Sequence, residues 1–309
     1  MEFLVNWLAS VPAFAVPFAL ATLGLIITEK SGVLSLGAEG FLLVGALAGI
    51  GAAFGAGLPP ELALIAGALA ASAVSLLFAL LVIVLRINQV IAGLAIVFFC
   101  QGLTSLIAAQ RGWTNKMVSG LQPLSLGPLA DIPVVGRILF SQDILVYLTL
   151  PIFAAAVYAL NYTMTGLRLR AVGENPEAAD AAGLNVALYR LGAIMIGSAL
   201  VGLAGSYLSV AVAKIWVDGL SGGRGWIAVA LVIFARWHPW RALLGAILFG
   251  CIEALIPRIA ALGIQVPQYF ILMTPYLATL AVMIWTSRSA GLSRQPAALG
   301  IPHVREERR

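Results

Sequence analysis

This 309-residue chain has 13 acidic, 18 basic and 2 histidine side chains with which to do chemistry. Their spacing argues against catalysis. His238 and His303 stand too far apart in sequence for an HExxH metal site. Cys100 and Cys251 both fall inside apolar runs, so no CxxC pair or disulfide framework is present. A P-loop needs a lysine after glycine, but Lys30, Lys116 and Lys214 follow Glu29, Asn115 and Ala213. No nucleophile–base or metal constellation emerges. The expectation is no catalytic residue, no cofactor and no metal, with energy supplied by another chain or an ion gradient.

The remaining candidates are polar groups within apolar sequence. A charge at membrane depth costs about 2.5–3.5 kcal/mol on insertion scales, so each one marks a possible site. Glu29, Lys30 and Glu39 bracket a glycine-rich break. Two readings stay open there: a solvated boundary loop, with Glu29 interfacial, or a broken helix with Glu39 facing a path or paired inside the protein. Asn88 and Gln89 open a later apolar run, and Gln101 lies further along it. These amides either meet a polar solute or join helices, and helix joining is the expected role of Gln101. Glu253 precedes Arg258 by five residues, which reads as an interfacial pair. Trp226, Trp237 and Trp240 read as interface anchors.

A polar island covers residues 170–185 (RAVGENPEAADAAGLN). Glu174 leads into Asn175, a favourable N-cap, and Pro176 then falls at the first helical position, where a missing N–H costs nothing. Glu177 suits the positive helix end. Ala178, Ala179, Ala181 and Ala182 propagate the helix and Gly183 stops it. A helix of about two turns, roughly 10 Å long, is unstable alone in water and needs packing partners.

The elements around these residues are membrane spans. The chain is 61% apolar and 10% charged, with mean hydropathy +1.01. Soluble domains are about 45–50% apolar and 25% charged, so a water-soluble fold is excluded. The pattern predicts an all-α polytopic bundle of about nine spans (8–10), each needing about 20 apolar residues. They fall near 11–28, 41–57, 61–85, 88–110, 142–162, 190–213, 224–237, 241–257 and 269–287. The 224–237 run is short enough to be a half-helix buried in protein. Residues 1–309 are expected to form one transmembrane domain, with a cytoplasmic loop at 166–189 and a cytoplasmic tail at 288–309. Twelve of the 18 basic residues lie on one side if the C-terminus is cytoplasmic, which places the N-terminus outside. The net charge of +5 fits contact with membrane lipid, not with a nucleic acid polymer. The proline- and glycine-rich 111–141 connection reads as an external covering loop or a landing surface for a partner. Gly45 and Gly49, Gly51 and Gly55, and Ser198, Gly202 and Ser206 stand at helix-packing spacing.

The string EAADAAG at 177–183 matches the EAAxxxG signature of the coupling loop in permease subunits of ABC importers. Residues 28–40 (TEKSGVLSLGAEG) and 87–95 (INQVIAGLA) resemble two further elements of the sugar/nucleoside branch of that family. Residues 222–250 resemble its late glycine-rich segment, so the likeness covers most of 20–287. It is nearest to the shorter permease of nucleoside importers, also grouped with branched-chain amino acid permeases. Where that branch often carries a further polar residue, this chain has Ile96, Val97, Phe98 and Phe99. The resemblance implies a translocation path for a nucleoside or a simple sugar, in the cell (inner or plasma) membrane. It also implies four partners: a second, different and longer permease subunit, two cytoplasmic ABC ATPases and an extracytoplasmic solute-binding protein. Glu174, Asn175, Pro176, Glu177, Ala178, Ala179, Ala182 and Gly183 would then meet the ATPase, and Glu39, Asn88 and Gln89 would border the path. The alternative is an ion-coupled secondary transporter, which calls for a buried acidic relay and inverted repeats; no repeat is visible. A non-transporting membrane scaffold is the third reading.

Overall fold

The computed structural model describes residues 2–125, 134–261 and 295–303, with residues 127, 130, 132, 273, 277, 280, 281 and 284 besides. The chain forms α1 (Glu2–Glu29), α2 (Ala38–Ile50), α3 (Pro60–Ala79), α4 (Gln89–Arg111), α5 (Val135–Leu139) and α6 (Ile144–Tyr162). There follow α7 (Met164–Glu174), α8 (Pro176–Ala181), α9 (Val186–Tyr207), α10 (Arg224–Ala235) and α11 (Pro239–Ala261). Wider π-turns extend three of them at Gly51–Gly55, Leu80–Val84 and Leu208–Ala213. Among the described residues, one antiparallel strand pair, Leu124–Ser125 with Ser141–Gln142, accompanies the helices.

Seven helices among the described residues are long and apolar enough to cross a membrane. α10 is the short one expected. Its 12 residues extend about 18 Å, well under a hydrocarbon core of about 30 Å. The span expected at 269–287 lies outside the described residues but for five single positions. The expected tail is described only at 295–303.

α9 is the centre of the bundle and packs against α1, α2 and α3; α1 also packs on α10 and α11. Gly45 and Gly49 meet Gly202 and Ser206 at the α2–α9 crossing, while Gly51 and Gly55 lie against Trp113 after α4. A Cβ on Gly45 would overlap the Gly202 carbonyl, and one on Gly51 would lie 2.6 Å from the Trp113 ring. Lipid tails give no hydrophobic drive to helix association, so close backbone approach and hydrogen bonds must supply it. Ser206 Oγ donates to Leu64 O at 3.1 Å and Ser209 Oγ to Ala46 O at 2.8 Å. The outer faces of α3, α4 and α6 stay apolar and open, with Leu69, Phe98 and Leu150 exposed.

The 111–141 connection is ordered where described. Asn115 N–H donates to Trp216 O, and Gln142 Nε2 donates to Ala9 O at 2.9 Å. Trp216 beneath it is fully buried.

Candidate functional site

Two places in the bundle answer to the residues picked out by type and spacing. The first is the break between α1 and α2. Helix α1 ends at Glu29, and α2 does not begin until Ala38. Between them the chain climbs along α4. Leu34 N–H donates to Gln89 Oε1 at 2.6 Å, Gly93 lies against Leu36 and Gly37, and Gly40 lies against Ile96, Val97 and Cys100. The rise along α4 from Gln89 to Cys100 is about 16 Å. Segment 30–37 therefore runs from the α7 end of the bundle up along α4.

Glu39 stands at the top of this break and is 8% exposed. Its carboxylate accepts the Ser221 hydroxyl at 2.6 Å and the Gly223 N–H at 2.8 Å on Oε1, and the Gly225 N–H at 2.7 Å on Oε2. These donors form the start of α10, whose first amides have no partner within the helix and carry the positive end of its dipole. In transporters built on broken helices, such an end points at an anionic substrate group; here the chain's own Glu39 takes that place. Between Gly223 and Gly225, Arg224 pairs with Glu253 at 2.5 Å. Glu253 was expected to pair with Arg258. Five residues of helix put those two about 140° apart, and Arg258 instead reaches Asn6 O and Ser10 Oγ.

The other expected path residues are used locally. Asn88 Oδ1 caps α4, accepting the N–H groups of Val90 at 2.9 Å and Ile91 at 3.3 Å. Gln89 is 2% exposed, and its Nε2 has no partner. Two expectations of interfacial placement are corrected. Glu29 is 2% exposed, and buried Trp237 donates its indole N–H to Glu29 Oε2 at 2.6 Å. A buried carboxylate needs a donor and a buried indole needs an acceptor, and each meets the other's need.

The second place is the polar island. Asn175 Oδ1 accepts the Ala178 N–H at 2.9 Å, Pro176 fills the first helical position, and Gly183 ends the turn at φ +84°. The alanines divide by face. Ala179 is buried with Val172 and Val186, and Leu184 and Tyr189 pack on them. Glu174, Asn175, Glu177, Ala178, Ala182 and Gly183 are exposed. The sequence did not reveal α7, which brings the island to this position. Thr163 caps it, accepting the Gly166 N–H at 3.1 Å, and a Cβ on Gly166 would overlap the Ala159 carbonyl of α6. The Thr163-x-x-Gly166 cap was the available signal.

The tail returns to this end of the bundle. Ala298 N–H donates to Gly173 O at 3.0 Å, Gly300 N–H to Gly32 O at 3.2 Å and Ala297 N–H to Glu174 Oε2 at 3.2 Å. His303 Nε2 stands 4.0 Å from Asp180 Oδ2. The break after α1, helices α7 and α8, and the tail thus share one end of the molecule.

A bundle of apolar helices long enough to span, with a short capped helix at one end, is the architecture of a multi-pass membrane protein. The chain belongs to the branched-chain amino acid transport system / permease component family, whose model matches residues 7–285. It is 37% identical to the putative glucose ABC transporter permease protein TsgC13 of Haloferax volcanii, over 92% of each chain. It is 33% identical to the guanosine ABC transporter permease protein NupQ of Bacillus subtilis, over 96% of this chain and 95% of the relative. It is 30% identical to the nucleoside ABC transporter permease protein NupC of Lactococcus lactis, over 97% and 96%. No solved structure matches. The protein is therefore a multi-pass permease subunit of an ABC importer, a transporter and not an enzyme, and it works in a complex with ATPase and binding-protein partners.

Proposed function

We propose that this permease carries a nucleoside, with a simple sugar as second choice, and that α8 is the lever through which an ATPase moves it. The exposed face of α8 carries the reading. Its inner side is anchored by Ala179, while Ala178, Ala182 and Gly183 present small residues outward beside Glu177. A six-residue helix about 9 Å long cannot hold itself in water, so it transmits force through that anchor. Relatives named for guanosine, nucleosides and glucose support the choice of solute.

In this reading residues 1–309 are one permease domain that pairs with a different, longer permease chain to form the pore. Residues 166–189 are the coupling loop and 288–309 the tail. Two cytoplasmic ATPases close on the coupling loops when they bind ATP, and an extracytoplasmic protein delivers the solute. The α8 end and the C-terminus are cytoplasmic and the N-terminus is outside. The permease itself hydrolyses nothing. Closure shifts the population between two packings of the same helices. The break at 30–37, held by Glu39 and Gln89, is where those packings differ. Of Glu39, Asn88 and Gln89, Gln89 is the one with a buried side-chain donor left for a solute.

The test is the energy source. In vesicles holding the assembled importer, uptake needs internal ATP, stops with vanadate, and continues when proton and sodium gradients are collapsed at constant ATP. Uptake that follows a gradient at fixed ATP would reject this mechanism.

A further inference from the structure

We propose that the cavity between α8, the start of α9 and the turn after α3 binds a phosphate-bearing anion. The cavity is about 340 Å³. Arg86, Asp180, Asn185, Val186, Arg190 and His303 are among its lining.

Arg190 is only 3% exposed, and its Nε and Nη2 have no hydrogen-bond partner. A guanidinium stays charged, and burying one without acceptors is expensive. The group borders a hollow that an acceptor could enter. Two further basic side chains reach the same hollow from distant parts of the sequence, Arg86 from the turn after α3 and His303 from the tail. One carboxylate opposes them, Asp180, which stands 4.0 Å from His303 Nε2. The first turn of α9, a 22-residue helix, also lines the cavity. Such a start presents outward-facing amides and favours negative charge.

Among the residues lining the cavity, two guanidiniums face one carboxylate, a net positive charge before His303 is counted; Glu177 stands outside the lining. A phosphate monoester, at about −1.5 to −2 charge near pH 7, offers the acceptors and the charge to match. The ligand comes either from solution, as inorganic phosphate or a phosphorylated metabolite, or from the membrane, as a phospholipid headgroup. Because Asp180 and Gly183 border the same cavity, an occupant ties α8 to α9 and the tail. That effect on transport rests on the coupling role of α8; binding itself does not.

The full chain is purified in phosphate-free detergent and titrated with inorganic phosphate by calorimetry and thermal shift. In parallel it is placed in nanodiscs of phosphatidylcholine with or without phosphatidylglycerol. The variants are Arg86→Gln and Arg190→Gln, and exposed Arg86 keeps the first independent of folding. Phosphate binding weakened at least about tenfold in both variants supports a soluble ligand. Stabilisation by phosphatidylglycerol alone, lost in Arg86→Gln, supports a headgroup. No response to either probe, or the same response in Arg86→Gln as in the parent, overturns the site. An Ala178→Arg chain should bind as the parent does even if uptake is lost, so the binding and coupling claims fail separately.

Discussion

Glu39 Oε2 accepts the Gly225 amide at 2.7 Å, joining the start of α2 to the start of α10 across 186 residues of sequence. The same approach leaves no room at Gly225, where a Cβ would lie 2.5 Å from the Glu39 backbone. A carboxylate here is both a cap and a spacer between two broken helices. Replacing Glu39 with Gln keeps the shape but swaps an acceptor oxygen for a donor amide facing N–H groups. The expected cost is about 1–3 kcal/mol. Thermal unfolding in detergent should show Glu39→Gln and Gly225→Ala both destabilised.

Arg224 and Glu253 form the adjoining pair, at 2.5 Å and only partly exposed. Removing one partner leaves a charge with poor access to water, which is costlier than never having had the pair. Glu253→Gln should lower the melting temperature more than Arg258→Gln does. The exchange of Arg224→Glu with Glu253→Arg should recover part of the loss.

How far these contacts were visible in advance depends on their range. Hydropathy located the apolar runs because a span must be continuous. The capping logic of Asn175, Pro176 and Gly183 located α8 because a cap and its helix are neighbours in sequence. Contacts between residues far apart leave no such trace. Trp237 meets Glu29 across 208 positions, and Glu39 meets Ser221 across 182. Taken alone, Trp237 reads as an interface anchor, and Glu39 as solvated, path-facing or paired with a partner the sequence does not name. Ala179 shows the same limit at short range. Composition made the alanines of α8 equivalent, and only the position of α7 beneath them turned Ala179 inward.

The division of faces on α8 gives a paired prediction. Ala179→Arg places a charge among Val172, Val186 and Leu184, so it should lower the stability of the chain itself. Ala178→Arg points outward and should leave stability unchanged. Melting curves of the two purified chains distinguish them.

Docking of the tail should depend on pH. Burial pushes the His303 imidazole below its usual value, with further lowering from Arg190 and Arg86 and opposition from Asp180 and Glu177. The docked histidine therefore binds protons less readily than a free one. Docking is then strongest above about pH 6.5 and weakens as pH falls through that value toward the lowered one. Spin labels at Ala178→Cys and Ile301→Cys, in a chain lacking Cys100 and Cys251, should show the short distance losing population between pH 7.5 and 5.5. With His303→Gln added, the distance distribution should not change over that range.

The most direct test of the lever is uptake by the assembled importer carrying Ala178→Arg, measured beside the melting temperature of the same chain. The expected result is a stable, membrane-inserted permease that imports nothing, because the ATPase can no longer seat on α8. Normal import by that variant would contradict it.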